Sequence, residues 1–263
     1  MIMNPNCVTI AKNGLNFTVN AQNIHFLYFW NHIKGWEIET FRVFDRYLNR
    51  QYCYLDIGAW IGPTVLYAAH KAKHVYGLEP DPVAFQELVT NISLNPAIAG
   101  KVTCLQAALD GRSGNTKLYM RTRFGDSSSS TIPTLSNYFI ETTAISINKL
   151  IADYQMNDIN FIKIDIEAGE YTLIPKLYPF LKKNRPTLNL SLHPQFLNDH
   201  NHFMDDVHST SDKDTRTLQL TKTLVESLEF YQYIYGPGGN QVSKDSILEI
   251  TDYGMFTFTD DQW

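Results

Sequence analysis

The stretch that decides the fold is Tyr52-Cys53-Tyr54-Leu55-Asp56-Ile57-Gly58-Ala59-Trp60-Ile61-Gly62. Its first six residues form a mostly apolar run that ends before a glycine, which is typical of a buried strand followed by a tight turn. Helix-like and strand-like segments then alternate: a helix with apolar residues at 61, 65, 69 and 72, a strand over 74–78, a helix beginning at Asp81-Pro82, and a strand over 102–105. This alternation predicts a parallel sheet with helices on both faces.

Turn and capping signals mark further elements. Asp81-Pro82 predicts a helix start, because Asp accepts hydrogen bonds from free N–H groups and Pro suits the first helical turn. Asn13-Gly14 predicts a β-hairpin near the N-terminus, and the apolar spacing over 37–49 predicts an amphipathic helix. Later strands are predicted over 116–120, 144–147, 161–166, 188–192, 231–235 and 255–259. Because we find no linker, we expect a catalytic domain over 51–263, with the hairpin and helix of 1–50 packed on it as an extension.

Composition and charge exclude several classes of protein. The 263 residues carry 22 Lys+Arg against 27 Asp+Glu, a formal net charge of −5, and 44% are hydrophobic. This mix is typical of a folded globular protein, and the acidic balance argues against a dedicated nucleic-acid binder. No apolar run is long enough for a membrane span, and the first residues lack the pattern of a secretory signal. With three widely spaced cysteines that form no disulfide or zinc pattern, we expect a cytoplasmic protein.

The ends of the first two predicted strands carry the residues of a nucleoside site. Gly58 and Gly62 allow the backbone to turn sharply after the first strand. Glu79 ends the second strand, roughly 20 residues after Gly58, where an acidic side chain accepts hydrogen bonds from ribose hydroxyls. In open parallel sheets, ligands bind at this edge. The alternative is that the glycines only form a tight turn.

The residue at position 60 distinguishes two kinds of nucleoside cofactor. A dinucleotide site needs a second glycine there so that the backbone can approach a pyrophosphate, and Trp60 is too bulky for that role. A wider glycine spacing headed by Asp56 suits S-adenosylmethionine, which has no phosphate and whose ammonium group pairs with a carboxylate. An NAD(P)-dependent oxidoreductase is therefore the weaker alternative.

Three stretches, taken in order, resemble the FkbM-type methyltransferases. They are Asp56-Ile57-Gly58-Ala59-Trp60-Ile61-Gly62-Pro63-Thr64, then Glu79-Pro80-Asp81-Pro82 with Asn91 and Leu94-Asn95 behind it, and Ile162-Lys163-Ile164-Asp165-Ile166-Glu167 with Glu170. Gly35-Trp36-Glu37 and the helix after it also look like this family, so the resemblance covers roughly residues 30 to 195.

The resemblance implies a Rossmann-like class I methyltransferase fold, S-adenosylmethionine as the donor, and methyl transfer to an oxygen of a sugar, glycan or small metabolite. The residues expected to hold the donor lie in the matching stretches: Asp56, Gly58, Ala59, Gly62, Glu79, Pro80, Asp81 and Glu37. The chain departs from the family pattern mainly on the acceptor side. Relatives usually carry glycine directly after the glutamate that matches Glu167, whereas here Ala168 precedes Gly169.

Acidic residues and a histidine mark the ends of two later strands. Lys163, Asp165 and Glu167 alternate along one strand and share one of its sides. His193 ends the next strand, and its ordinary pKa suits a base that removes a hydroxyl proton. We therefore expect His193 to be the catalytic base, with Asp165 or Glu167 as its orienting partner or as an alternative base. The alternatives are a Lys163–Asp165 ion pair and a hydrogen-bonded structural histidine.

A polar stretch over 198–214 contains His200, His202 and His208 together with several aspartates. Its spacing matches no metal-ligand pattern, so we assign no metal site and consider a substrate-covering lid or a solvated loop instead. A serine-rich loop over 125–130, with Asp126, is a candidate to face cofactor or acceptor. A nucleoside- or glycan-binding module without catalysis is the remaining alternative function.

Overall fold

A computed structural model describes residues 6–156, 158–204 and 210–263. Its strands are β1 (Cys7–Lys12), β2 (Leu15–Asn20), β3 (Cys53–Ile57), β4 (His74–Leu78), β5 (Val102–Leu105), β6 (Ala108–Asp110), β7 (Gly114–Tyr119), β8 (Phe139–Ser146), β9 (Ile159–Ile164), β10 (Thr187–Leu192), β11 (Tyr233–Tyr235) and β12 (Gly254–Thr259). Its α-helices are α1 (Ile24–His32), α2 (Ile38–Tyr47), α3 (Pro63–Ala69), α4 (Pro82–Ser93), α5 (Pro96–Ala99), α6 (Ile147–Tyr154), α7 (Glu170–Asn184), α8 (Pro194–Met204), α9 (Thr210–Glu226) and α10 (Lys244–Leu248).

Within the described residues, the largest sheet has seven strands in the order β11-β12-β10-β9-β3-β4-β5. The strands from β10 to β5 are parallel, whereas β12 is antiparallel to both β10 and β11. The chain runs outward from β3 to β4 and β5, and later returns to β9 on the other side of β3. This reversal creates a topological switch point at the carboxyl ends of β3 and β9, where ligands bind in such sheets.

Side chains along β3 alternate between two hydrophobic cores. Leu55 packs in one core with Leu177 of α7, while Tyr54 packs in the other with Phe44 of α2 and Val65 of α3. Helices therefore cover both faces of the sheet, which confirms the predicted α/β arrangement.

The predicted boundaries agree with the structure near the first crossovers and, to within one residue, at β10 and β12, whereas they are displaced at several other elements. The strand predicted over 144–147 is wrong at its end, because the Ser146 hydroxyl accepts a hydrogen bond from the Lys149 amide at 3.3 Å and Ile147 begins α6. The strand predicted over 161–166 lies instead at Ile159–Ile164. The second sheet, β6-β8-β7, was not foreseen as a separate unit.

The N-terminal hairpin is attached to α4 and to the start of α5 by the side-chain amides of two asparagines. The Thr18 amide donates to Asn95 Oδ1 at 2.8 Å, and the Asn20 amide donates to Asn91 Oδ1 at the same distance. Asn20 Nδ2 also donates to Glu87 Oε2 at 3.0 Å. These bonds fix the hairpin and the segment after it relative to the main sheet.

The polar stretch over 198–214 falls largely in α8 and α9. His208, Asp205 and Asp206 lie outside the described residues, and the side chain of His202 is likewise not among the described ones. His200 Nδ1 lies 2.6 Å from the Pro133 carbonyl oxygen. Among the described helices, none combines the length and apolar character that crossing a membrane requires.

Candidate functional site

A crevice lies at the switch point, between the loops that follow β3, β4, β9 and β10. Gly58 has φ +91° and Gly62 has φ +93°, so both occupy the left-handed region that favours glycine. A Cβ at Gly58 would lie 1.9 Å from the Asp165 carbonyl oxygen, and one at Gly62 would lie 2.6 Å from Leu88 Cδ1. The two glycines therefore let the loop after β3 pack against its own neighbours at the rim of the crevice.

One part of the crevice, which we call the Glu79 cavity, encloses about 560 Å³ of empty volume. Its walls are largely apolar and include Leu78, Pro80, Ala107 and Leu109. The serine-rich loop closes one side with Asp126, Ser127, Ser129 and Ser130. This loop thus lines the Glu79 cavity.

The Glu79 carboxylate is buried at the end of β4 and accepts two backbone hydrogen bonds. Oε2 accepts from the Trp60 amide and Oε1 from the Asp81 amide, each at 2.8 Å. Burial raises the pKa of Glu79 to about 8, although these two N–H groups lower it. A carboxylate has about four acceptor positions, so each oxygen keeps capacity for a further hydrogen bond.

Asp81, a predicted donor contact, uses its side chain to hold two protein segments together. Oδ1 accepts from the Val83 and Ala84 amides at 2.8 and 3.2 Å, which is the predicted helix cap of α4. Oδ2 accepts from the Gly125 amide at 2.7 Å and from the Ser129 hydroxyl at 3.1 Å. Asp81 therefore anchors the serine-rich loop to the start of α4.

A second part of the crevice, the His193 cavity, encloses about 730 Å³. Aromatic residues Phe29, Trp36 and Tyr253 line it, together with the charged residues Glu37, Lys163 and His193. Ala59 also faces it. The two cavities adjoin, because both are lined by Gly58, Trp60, Ser127, Asp165 and Glu167.

Asp56 lies behind the loop and lines neither of these two cavities. Its side chain is fully buried, and Oδ2 accepts a 2.5 Å hydrogen bond from the Thr64 hydroxyl. Burial raises the pKa of Asp56 to about 6, and the nearby Lys163 ammonium opposes this rise. The contact with Thr64 joins the end of β3 to α3, so Asp56 stabilises the loop on which the site is built.

The predicted acids and histidine converge at the boundary of the two cavities. Lys163 Nζ lies 2.8 Å from Asp165 Oδ2. His193 Nε2 lies 3.6 Å from both Asp165 Oδ1 and Glu167 Oε2, and Nδ1 lies 3.3 Å from Glu170 Oε1. The ring of His193 is thus surrounded by three carboxylates, with Lys163 as the neighbouring cation.

This surrounding charge determines the protonation of the cluster. Burial lowers the pKa of His193, but the carboxylates of Glu170, Asp165 and Glu167 outweigh it and raise the pKa to about 10. Burial raises the pKa of Glu167 to about 8 against the opposing effect of His193. For Asp165, burial acts upward, yet Lys163 and His193 hold its pKa below the ordinary value. At neutral pH the imidazole is therefore a cation.

Among the predicted donor contacts, Glu37 combines an unusual backbone conformation with a buried carboxylate oxygen that has no partner in the part of the chain that the structure describes. It precedes α2 with φ 41°, in the left-handed region that a non-glycine residue rarely adopts. Its Oε2 is buried and has no hydrogen-bond partner among the described residues, and its side chain faces the His193 cavity. Burial raises its pKa, whereas Lys163 lowers it. A buried carboxylate oxygen without a hydrogen-bond partner is costly unless a ligand satisfies it.

Sequence reasoning missed two contributors to the site. Tyr253, just before β12, reaches the cavity from a loop of no distinctive pattern, and its ring lies 5.4 Å from that of His193. The ring of Phe196 stacks on the imidazole of His193, with their centroids 5.4 Å apart and an interplanar angle of 7°. Near Phe196, the sequence offers one local signal, Pro194, which indicates the start of a helix.

Comparison with known proteins identifies the family. The family model for the FkbM methyltransferase domain matches residues 56–222, more than half of the chain. The chain belongs to the FkbM methyltransferase family. With the sheet order above, this membership confirms the Rossmann-like class I methyltransferase fold. No curated protein matches the sequence of this FkbM family member.

Solved structures similar to this FkbM family member are distant in sequence. Methyltransferase FkbM from Methylobacillus flagellatus KT is 16% identical with a TM-score of 0.46, over 82% of this chain and 50% of that one. This chain therefore spans about half the length of that protein. Precorrin-6y C5,15-methyltransferase from Geobacter metallireducens GS-15 is 10% identical with a TM-score of 0.44, over 86% and 88% of the two chains. SMU.1697c from Streptococcus mutans, solved in complex with SAH, is 10% identical with a TM-score of 0.43, over 85% and 98%.

Proposed function

We propose that this protein transfers a methyl group from S-adenosylmethionine to a hydroxyl of a sugar, glycan or small metabolite. The observation that carries the proposal is the meeting of a largely apolar cavity, headed by Glu79, with a polar cavity containing His193. Their shared boundary carries Asp165 and Glu167. The donor's adenosine in the first cavity, its amino-acid part on the Glu37 side of the second, and an acceptor in the rest of the second would meet beside these two carboxylates.

Two acidic residues with spare acceptor capacity fit the donor. Glu79 would accept hydrogen bonds from the ribose hydroxyls, since each of its oxygens so far binds one amide. The orphaned Oε2 of Glu37 would accept from the ammonium of the amino-acid part. Ala59, Gly58 and Pro80 would supply the walls, while Gly62, Asp56 and Asp81 would support the site from behind.

The donor supplies an activated methyl group when bound, so the chain's own part is to position the acceptor and remove its proton. A base must be unprotonated, and the three carboxylates around His193 disfavour the neutral imidazole. We therefore move the proposed base from His193 to Glu167, the alternative that the sequence analysis left open. With a pKa of about 8, Glu167 is matched to the pH at which the reaction would run.

The charged neighbours of Glu167 would then orient the acceptor hydroxyl. His193 and Lys163 would hold Asp165 ionised, and Asp165 would accept a hydrogen bond from an acceptor hydroxyl. A hydroxyl-rich acceptor suits a cavity that offers both carboxylates and cations.

Cys7, Cys53 and Cys104 are free thiols, which supports the proposal that the protein works in a reducing compartment such as the cytoplasm.

The test has two stages. Calorimetric titration with S-adenosylhomocysteine and, separately, with NAD identifies the cofactor class: binding of the former supports the proposal, and binding of NAD alone contradicts it. A labelled-methyl transfer screen over sugar-bearing and other hydroxyl acceptors then tests catalysis. If the wild type binds S-adenosylhomocysteine but methylates no acceptor, the alternative of a binding module without chemistry is favoured.

A further inference from the structure

Lys12, the last residue of β1, is a buried lysine without a carboxylate partner within ion-pair distance in the described structure. Its side chain is 2% exposed. Nζ donates to the carbonyl oxygens of Ile33 at 2.8 Å, Lys34 at 3.1 Å and Trp36 at 2.6 Å. The ammonium also lies 4.4 Å from the centroid of the Phe41 ring. All three N–H donors of the ammonium are therefore used, and all are used on one turn.

That turn leads directly into Glu37. The residues from Ile33 to Gly35 form a single 3-10 turn, and Trp36 follows in extended conformation. Glu37 then adopts φ 41° before α2 begins at Ile38. A left-handed residue without glycine's freedom persists only when the surrounding structure holds it. The three hydrogen bonds from Lys12 hold the backbone immediately before it, together with the bond from the Trp36 amide to the Ile33 carbonyl oxygen.

We propose that Lys12 is a positioning residue for donor binding, because it fixes the turn that directs the Glu37 carboxylate into the His193 cavity. This inference rests on the proposed function, in which Glu37 receives the donor's ammonium. It assigns the N-terminal hairpin a part in the site, although the hairpin contributes no residue to the two cavities.

The chain of contacts explains why the hairpin is anchored on both sides. Asn91 of α4 and Asn95, which precedes α5, hold β2, and α4 begins three residues after Glu79. Lys12 on β1 fixes the turn before Glu37. The hairpin therefore contacts both the helix that follows the ribose-side carboxylate and the turn that precedes the ammonium-side carboxylate.

The test compares two ligands and five forms of the full chain: the wild type, two single variants, their double variant and a control. S-Adenosylhomocysteine has the amino-acid part, whereas 5′-methylthioadenosine lacks it, so only the former reports on Glu37. For Lys12→Met, which keeps most of the side chain's length but has no donors, we expect the Kd for S-adenosylhomocysteine to rise roughly 10-fold and that for methylthioadenosine to stay within about twofold. Glu37→Gln should show the same split.

The double variant Lys12→Met, Glu37→Gln should bind S-adenosylhomocysteine no more weakly than Glu37→Gln alone, since Lys12 acts through Glu37. Asn13→Gly is the matched control: it removes the exposed hydrogen bond from Asn13 Nδ2 to Asp45 Oδ2 beside Lys12 but leaves the Lys12 contacts, and it should bind both ligands as the wild type does. Thermal unfolding of each variant verifies that it is folded at the assay temperature.

Three results would overturn the inference. They are equal weakening of both ligands by Lys12→Met, additive effects in the double variant, and unchanged S-adenosylhomocysteine binding in a folded Lys12→Met protein whose Glu37→Gln counterpart binds weakly. Failure of the wild type to bind either ligand would instead contradict the proposed function.

Discussion

Replacing His193 with glutamine should destabilise the fold far more at low pH than at high pH. The imidazolium is 5% exposed and faces Asp165, Glu167 and Glu170 at 3.3 to 3.6 Å. A pKa raised from 6.5 to about 10 means that folding favours the protonated ring. The contribution to stability is complete below pH 6.5 and is lost as the pH rises through 10. Near pH 6 it is of order 5 kcal/mol, and at pH 9 only about 1 kcal/mol remains.

The assay is urea unfolding of wild type and His193→Gln, followed by tryptophan fluorescence at pH 6 and pH 9. We expect a loss in the free energy of unfolding of about 3 to 5 kcal/mol at pH 6, as when one partner is removed from a buried charge cluster. The loss should shrink to about 1 kcal/mol at pH 9. Equal losses at the two pH values, or none at pH 6, would refute the cationic state of His193 and return it to the role of base.

Three further predictions concern the loops around the crevice. Gly58→Ala should lower the free energy of unfolding by more than about 3 kcal/mol in thermal or urea unfolding, because its Cβ would meet the Asp165 carbonyl oxygen at 1.9 Å. Gly14→Ala, also at positive φ but with open space around it, should lower the free energy of unfolding by only about 1 kcal/mol. Similar losses in the two variants would argue against this packing. Ala168→Gly should raise the free energy of unfolding by about 1 kcal/mol, because Ala168 has φ 74°, and a decrease would show that its buried methyl matters more. The Glu167→Gln variant should keep donor binding and lose 10²- to 10⁴-fold in methyl transfer, while the wild-type rate should rise with pH up to about 8; a flat pH profile contradicts Glu167 as the base.

Local signals were sufficient to predict the elements that build the crevice. β3, β4 and β5 agree closely with the predicted ranges, because each is a short apolar run with a turn signal at its end. Asp81 caps α4 through the Val83 and Ala84 amides, as its position before Pro82 indicated. The family departure at Ala168 also acquires a physical meaning, since the residue after Glu167 adopts a backbone conformation that glycine accommodates without strain.

Contacts between distant segments could not be predicted in the same way. Glu170 and His193 are 23 residues apart, and their proximity depends on how β9 and β10 pair. The protonated state of His193 follows from that proximity, so the sequence alone favoured the ordinary pKa and hence the role of base. Likewise, nothing near Lys12 indicates that its ammonium binds a turn more than 20 residues away.

The most direct measurement of the central claim is a crystal structure of the protein with S-adenosylhomocysteine. We expect the adenosine in the Glu79 cavity, both ribose hydroxyls on the Glu79 carboxylate and the ammonium on Glu37. A ligand bound elsewhere, or ribose hydroxyls that contact other residues while Glu79 keeps only its two amides, would contradict it.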